Sequence, residues 1–339
     1  MAEDLIKQQL LKAIPHVESG YSLGSHQALG IGGPARYYTV AADTVELVQA
    51  VKAACDAGIA YRVLGMAEST IVNDGGFEGL IIQNNSQSYA VSQEQSQVVV
   101  DSGMSMRKLI TILANLELGG LIPLFGAGGS VGGAFFHNNL HARGSSQRFA
   151  DSLRSLTLLM PPTKIKPEPS IVRFKGTWLT TRVDEGETKL IQAASKDAGR
   201  MPVVLTAQVQ LTSLRTDEIV RRMQQEALSV SAHEPQGKDA VTHFGPVFLP
   251  LANATLEEAF QVAGVSKLEV GGLVMSRRYP NYVTQAKRPF RKPLLPVSTQ
   301  RLIALTDAVK AQVEAKFSAK LELAFSCIGE EEGAVTTNF

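Results

Sequence analysis

The sequence predicts a folded protein of the α+β class. Short strands are predicted at residues 37–40 and 61–64, on either side of a helix at residues 44–57. Residues 203–211 alternate apolar and polar side chains, as a half-solvated antiparallel strand does. The 339 residues, of which 44% are hydrophobic and 19% charged, are enough to bury two or three cores.

The helices of the first 120 residues are predicted from apolar side chains at helical spacing. Residues 44–57 carry such a series, which includes Val51, and the helix is expected to end before Gly58. Residues 105–117 present one apolar face that includes Leu109. An N-terminal helix within residues 1–20 and strands at residues 79–83 and 97–101 complete this part of the prediction.

Beyond residue 140, strands are predicted first and helices later. Strands are predicted at residues 153–160 and 203–211, helices at 216–227, 255–263 and 298–317, and a final strand at 320–328. The proline-rich residues 161–169 and the polar residues 184–187 are expected to be surface loops. A separate C-terminal domain is therefore predicted to begin near residue 212.

Composition limits the partners of the chain. Lys and Arg number 33 against 32 Asp and Glu, so no overall positive field would recruit nucleic acid or an anionic membrane. No apolar run reaches about 18 residues, and the N-terminus lacks the pattern of a secretory signal. Cys55 and Cys327 are too few for a disulfide scaffold or a metal cluster. We therefore expect a cytoplasmic protein whose partners are small molecules or other proteins.

Residues 126–134 form a glycine-rich segment with five glycines in nine residues. Glycine allows the main chain to approach a ligand closely, so the backbone amides of such a turn can cradle a pyrophosphate. A tightly packed turn is the alternative interpretation. The spacing matches neither the Gly-x-Gly-x-x-Gly of a Rossmann fold nor a Walker loop, so a phosphate site here requires another architecture.

Histidines and basic residues give weaker signals. His137 and His141 lie four residues apart, and His233 and His243 occur later in the chain, but no third group of ligands accompanies them, so no metal site is predicted. Arg277-Arg278 and residues 287–292 make a basic stretch. It is expected to be either a solvated loop or a contact for the diphosphate of a nucleotide sugar.

Several motifs together resemble one enzyme family. Residues 29–36, 63–74 and the glycine-rich segment match, in order and spacing, the flavin domain of the UDP-N-acetylenolpyruvoylglucosamine reductase (MurB) family of peptidoglycan synthesis. The resemblance spans residues 20–332. It implies a two-lobed FAD-binding domain of the PCMH or vanillyl-alcohol-oxidase type, not a Rossmann fold, at residues 21–211, with lobes at about 21–80 and 81–211. The C-terminal domain, residues 212–339, would then be the substrate domain.

The resemblance also implies which residues hold FAD. In such proteins two glycine-containing loops bind the flavin pyrophosphate, and the matching positions here are Gly65, Ser69, Gly126, Gly129, Ser130, Gly132, Gly133 and Asn138. The first loop departs from the family pattern at Met66, Ala67 and Glu68, where the family has a glycine at the second and a serine at the third of these positions. A carboxylate at 4 Å from a phosphate charge costs roughly 1 to 4 kcal/mol, depending on the effective dielectric constant.

The catalytic groups of the family are replaced. In the family NADPH reduces the flavin, the flavin passes hydride to the enolpyruvyl double bond, and a serine protonates the product, helped by an arginine and a glutamate. The three positions fall on Pro246, Leu179 and Ala324. Trp178 then takes the place of a family tyrosine, and Glu322, two residues before Ala324, is expected to be a solvated strand-end residue.

The sequence leaves four hypotheses open. The chain is a working reductase with substituted catalytic groups, or a non-catalytic descendant that binds flavin, a nucleotide sugar or a protein. It is otherwise an FAD oxidoreductase with another acceptor, or a protein that binds neither flavin nor sugar. Loss of a general acid typically lowers a rate a hundredfold to ten-thousandfold, which weighs against the first hypothesis.

Overall fold

The computed structural model describes residues 2–136, 149–163, 166–175, 201–251, 253–286 and 297–329. The first lobe is a four-stranded sheet with two helices packed against it and one further short strand outside the sheet. Its elements are α1 (Ala2–Ala13), β1 (Glu18–Ser22), β2 (Pro34–Ala41), α2 (Thr44–Asp56), β3 (Ala60–Leu64), β4 (Thr70–Val72) and β5 (Phe77–Asn84). The strand order is β1-β2-β5-β3, in which β5 runs parallel to both β2 and β3.

Helix α2 begins where the sequence predicts, and the cause is a side-chain cap. Asp43 accepts hydrogen bonds from the amides of Val45 and Glu46, both at 2.8 Å. The apolar residues of the helix, among them Leu47 and Val51, are buried in a core shared with Tyr37 and Tyr61 of the sheet. Burial of this one face fixes the helix on the lobe.

The second lobe is an antiparallel five-stranded sheet backed by short helices. Its elements are β6 (Tyr89–Ser92), β7 (Gln97–Asp101), α3 (Met106–Ala114), β8 (Leu118–Gly119), α4 (Val131–Phe136), β9 (Leu153–Met160), β10 (Ser170–Lys175), β11 (Val203–Gln210) and β12 (Thr212–Ser213). The strand order is β10-β9-β11-β7-β6. Residues 203–210 alternate strictly between buried and half-buried, and β11 is antiparallel to both neighbours, so that prediction is confirmed.

The C-terminal part is mostly helical. Its elements are α5 (Thr216–His233), α6 (Lys238–Thr242), α7 (Leu256–Ala263), β13 (Leu273–Met275), β14 (Val283–Gln285), α8 (Thr299–Phe317) and β15 (Ser326–Ile328). A capping box at Thr255 and Glu258 starts α7, as the sequence predicts within one residue. Helix α5 extends to His233, six residues past the predicted end. Ile219 of α5 lies in the core of the second lobe, and the domain boundary near residue 212 stays a prediction.

The prediction of a strand over residues 320–328 is wrong for most of its length. Only Ser326–Ile328 form a strand, and they pair in parallel with β4 of the first lobe. The preceding residues contact a different partner, because the Ala324 amide donates to the Val247 carbonyl at 2.8 Å and Leu323 bridges to Phe248. The same apolar segment thus serves two neighbours in turn, which hydrophobicity alone does not distinguish from one continuous strand.

Candidate functional site

Two loops approach each other between the lobes. Loop one, residues 65–69, joins β3 to β4, and loop two, residues 126–130, precedes α4. A Cβ atom placed on Gly65 would lie 2.1 Å from the Ser130 hydroxyl oxygen and 2.9 Å from its Cβ. Glycine at position 65 is therefore what allows the loops to meet, and the structure brings together two of the residues that the sequence assigns to FAD binding.

The first turn of α4, which follows loop two, is held by hydrogen bonds inside the second lobe. The amides of Val131 and Gly132 donate to the carbonyls of Met104 and Ser102, both at 2.8 Å, and the Gly133 amide donates to the Ser130 hydroxyl at 3.2 Å. A Cβ on Gly132 would lie 3.2 Å from Ser102 atoms. These bonds anchor the start of α4 in the second lobe, and they occupy the amides of both Gly132 and Gly133.

Gly128 and Gly129 form the tip of loop two. Both have positive φ angles, 66° and 68°, which glycine adopts at little cost. Gly126 lies further back, where a Cβ would be 3.1 Å from Val230 of α5. The tip is the part of loop two that forms a hydrogen bond with loop one.

The partner in loop one is Glu68. One oxygen of its carboxylate, Oε2, accepts a hydrogen bond from the Gly129 amide at 2.9 Å, and a Cβ on Gly128 would lie 2.6 Å from the same atom. Glu68 as a whole remains exposed to solvent, yet protein surrounds its carboxyl end. This loss of solvation raises the pKa of Glu68, while the charge of Arg107 and the Gly129 amide act in the opposite direction.

Arg107, on α3, connects this place to the end of α5. Its Nη2 forms an ion pair with Glu234 at 3.0 Å, and its Nε donates to the Phe125 carbonyl at 3.2 Å. Neither residue is predicted from the sequence, because 127 positions separate Arg107 from Glu234 and no local motif marks such a pair. The tip therefore has a cation and a second carboxylate nearby.

Loop one is held in place by hydrogen bonds from residues outside the loop. The side-chain amide of Gln27 donates to the carbonyls of Ala67 at 2.9 Å and Thr70 at 3.2 Å, and the Ser69 carbonyl accepts from the Ser326 amide at 2.9 Å. Ala67, where the family has glycine, keeps a left-handed φ of 56°. Loop one thus holds at position 67 a backbone conformation that glycine adopts most easily.

The positions of the family's serine and glutamate lie on paired segments. The Ala324 amide bonds to Val247, the residue after Pro246, and the Leu249 amide donates to the Glu322 carbonyl at 2.9 Å. Ala324 is 2% exposed and Val247 is fully buried, whereas Glu322 is exposed. The two positions that the motif match assigns to the family's serine and glutamate therefore come close together, and their side chains here, Pro246 and Ala324, carry neither an acidic proton nor a charge.

Other hydroxyls and histidines near this segment already have partners. The Ser276 hydroxyl accepts from the Tyr279 amide at 3.2 Å, and the Thr242 hydroxyl lies 3.1 Å from the Asp239 carbonyl. His243 Nδ1 lies 2.9 Å from that same carbonyl. Among the residues that the structure describes, no three His, Cys, Asp or Glu side chains are grouped to hold a metal ion.

Asp239 is the centre of a polar cluster that no sequence motif marks. Its Oδ2 accepts from Arg278 Nη1 and from the Tyr279 hydroxyl, each at 3.1 Å. Arg278, expected as part of a basic stretch, is thus paired.

Several predicted site residues fall outside the described ranges: Asn138, His137, His141, Trp178, Leu179 and residues 287–292.

Comparisons with known proteins agree on the fold and the cofactor domain. Residues 35–166 match a family model described as a FAD binding domain. The UDP-N-acetylenolpyruvoylglucosamine reductases of Bacillus subtilis and Anoxybacillus flavithermus are 25% and 22% identical to the chain, each over 96% of the chain and 99% of the relative. The crystal structure of the Thermus caldophilus reductase superimposes with a TM-score of 0.64 at 19% identity, covering 93% of the chain and 99% of that structure.

The two-lobed, non-Rossmann α+β fold that the sequence predicts is confirmed by this structural match. No helix within the described ranges has the length and apolar character needed to cross a membrane.

Proposed function

We propose that the chain, which resembles the UDP-N-acetylenolpyruvoylglucosamine reductases along nearly its whole length, is a member of their family that binds FAD without catalysing the family's reduction. One observation carries the proposal. Pro246 and Ala324 occupy adjoining, largely apolar segments, and Ala324 is buried. A reduction that needs a proton donor and a carboxylate at these positions has neither.

The loops fit the diphosphate of FAD in one testable respect. The Gly129 amide already holds an anionic oxygen, that of Glu68, at 2.9 Å, so the tip of loop two does present a donor to a negative group. Gly65 lets the two loops approach each other. Gly128 and Gly129 have positive φ angles, which residues with a side chain rarely adopt, so their amides are open to a ligand. We propose that Gly65, Ser69, Gly129 and Ser130 hold this part of the cofactor.

Bound FAD would supply hydride transfer, with NADPH as the donor. Completion of the family's reduction depends on side chains that this chain lacks. Replacement of the general acid by Pro246 typically costs a factor of about 10² to 10⁴, and loss of the carboxylate at Ala324 costs a comparable factor. Together these losses are large enough to remove measurable turnover, whereas the loops that hold the flavin do not depend on either position. A nucleotide sugar is the small molecule that we expect the C-terminal part to bind, without reducing it.

The first test is the visible spectrum of the purified protein before and after incubation with FAD and desalting. A flavin spectrum, with FAD identified after heat release, supports the cofactor half of the proposal. A colourless protein that takes up no FAD contradicts it.

The second test measures NADPH oxidation with UDP-N-acetylenolpyruvoylglucosamine, beside the Bacillus subtilis reductase as a positive control. We expect no substrate-dependent oxidation by this chain. We also expect none from Pro246→Ser, because position 324 remains alanine. Sustained turnover by the unmodified chain would overturn the catalytic half of the proposal.

A further inference from the structure

Glu68 lies where a ligand phosphate would compete with it. The carboxylate bonds to the Gly129 amide, the one donor of loop two that reaches out to loop one among the described hydrogen bonds of residues 126–133. We infer that Glu68 is a built-in occupant of the diphosphate position, which FAD must displace, so that this side chain sets the affinity of the chain for FAD. The inference rests on the proposed function.

The contact is specific to the loop tip. Oε2 lies 2.6 Å from where a Cβ of Gly128 would be, whereas a Cβ on Gly129 would meet nothing within 4 Å. A side chain at position 128 would therefore exclude Glu68, and glycine admits it. The Glu68 carboxylate thus reaches the backbone for the same reason that a phosphate could, because residues 128 and 129 carry no side chains.

Charge makes the two occupants mutually exclusive. A phosphate that bonds to the Gly129 amide would lie beside the carboxylate, and two like charges in a partly desolvated site repel each other strongly. The groups that face Glu68 are Arg107 from α3 and, through its ion pair with Arg107, Glu234 after α5. Arg107 keeps Glu234 as a partner when Glu68 moves away, so displacement leaves no cation unpaired.

The alternative is that Glu68 is an incidental loop residue with no effect on ligands. The two cases differ in what happens when the carboxylate is removed. In Glu68→Ser the family residue is restored, and in Glu68→Gln the size is kept while the charge is lost. Glu78→Gln is the matched control, because Glu78 is an exposed glutamate that pairs with Arg36 at 3.1 Å.

The experiment measures the dissociation constant of FAD by quenching of flavin fluorescence for the unmodified chain and the three variants at pH 8. Thermal melting without ligand confirms that each variant is folded. We expect Glu68→Ser and Glu68→Gln to bind FAD about 10 to 100 times more tightly than the unmodified chain, a range that corresponds to the Coulomb energy of adjoining charges. Glu78→Gln is expected to bind as the unmodified chain does.

The outcomes separate the inference from the function on which it rests. If all four proteins bind FAD equally well, the inference is overturned and FAD binding stands. If none binds FAD, including folded Glu68→Ser, the proposed function itself fails. Tighter binding by both Glu68 variants supports the inference. Tighter binding by Glu68→Ser alone would assign the effect to the size of the side chain and overturn the argument from charge.

Discussion

Ala67 shows at the scale of one residue how loop one departs from the family pattern. Its φ of 56° lies in the left-handed region, which costs a residue with a side chain about 1–2 kcal/mol. The hydrogen bond from Gln27 to its carbonyl holds this conformation in place. Loop one therefore follows at this position a path that is easiest for glycine, although the residue is alanine.

We predict that Ala67→Gly stabilises the protein. Relief of about 1–2 kcal/mol of strain exceeds the cost of about 0.5–1 kcal/mol for the greater freedom of glycine in the unfolded chain. The free energy of unfolding in urea should rise by about 0.5–1 kcal/mol. The control is Ala57→Gly, where φ is −76° and the same change should be destabilising. Equal losses in both variants would contradict the argument.

Glu68 leads to a prediction about pH. Its pKa is raised above the ordinary value because burial of the carboxyl group outweighs the opposing effects of Arg107 and the Gly129 amide. The charged form is therefore lost at a higher pH than in a free glutamate, and the neutral form does not repel a diphosphate. FAD affinity should rise as pH falls from 8 towards 5, measured by fluorescence titration. Glu68→Gln should lack this increase, and an equal increase in that variant would assign it to another group.

At the scale of elements, the sequence predicts what local patterns determine. Alternation identified β11, and apolar residues at helical spacing placed the starts of α2 and α7 within one residue. The end of the chain was predicted poorly because β15 pairs with β4, more than 250 residues earlier. Nothing local encodes such a partner.

In the candidate site, too, the sequence predicts residues that belong to local motifs but not the contacts between distant segments. The motif match identified Gly65 and Ser130, and the structure shows them in contact. The Glu68–Gly129 bond, the Arg107–Glu234 pair and the Asp239 cluster each join distant segments, so only the folded chain reveals them. From the sequence, Glu68 is expected to be an unfavourable neighbour of a phosphate, but its bond to the opposite loop is not predicted.

The contact of the two loops predicts a coupled pair of variants. In Gly65→Ala the new Cβ would lie 2.1 Å from the Ser130 hydroxyl oxygen, so the loops must separate and FAD binding should weaken. Ser130→Gly removes the obstructing atoms, so the loops can meet again in the double variant, which should bind FAD more tightly than Gly65→Ala alone. A double-mutant cycle of FAD affinities should show a coupling energy of about 1 kcal/mol or more. Additive effects would show that the loops do not meet in solution.

The paired segments around Ala324 predict that the family's glutamate cannot simply be restored. Ala324 is 2% exposed, so Ala324→Glu would bury a carboxylate among apolar neighbours and should cost about 2 kcal/mol or more in unfolding free energy. Glu322→Ala, at an exposed position two residues away, should change it by no more than about 0.5 kcal/mol. A stable Ala324→Glu variant with NADPH-dependent turnover would show that this place is open to substrate.

At the scale of the whole molecule, the C-terminal part contacts the first lobe mainly around residues 70–74. Strand β4 pairs with β15, the Asn73 amide donates to the Ile328 carbonyl at 2.8 Å, and Asp74 is the next residue. Ile31 and Ile71 of the first lobe also lie in the core around α8. Loop one and the segment of Pro246 and Ala324 are therefore positioned relative to each other by residues 70–74 together with Ile31.

Asp74 makes this attachment testable. Its two carboxylate oxygens accept from the amides of Thr299 and Gln300 at 2.9 and 3.1 Å, so a side chain of the first lobe caps α8 where a helix N-terminus favours negative charge. Asp74→Ala should lower the unfolding free energy by about 1–2 kcal/mol and speed hydrogen exchange throughout α8 and β15. The control is Asp43→Ala, which removes a similar cap from α2 within the first lobe. In this variant, faster hydrogen exchange should be confined to α2. Because Asp74 adjoins the β4–β15 pairing, its loss should loosen the whole contact. Faster exchange confined to the first turn of α8 would show that Asp74 is a local cap, and that the apolar core and strand pairing hold the two parts together without it.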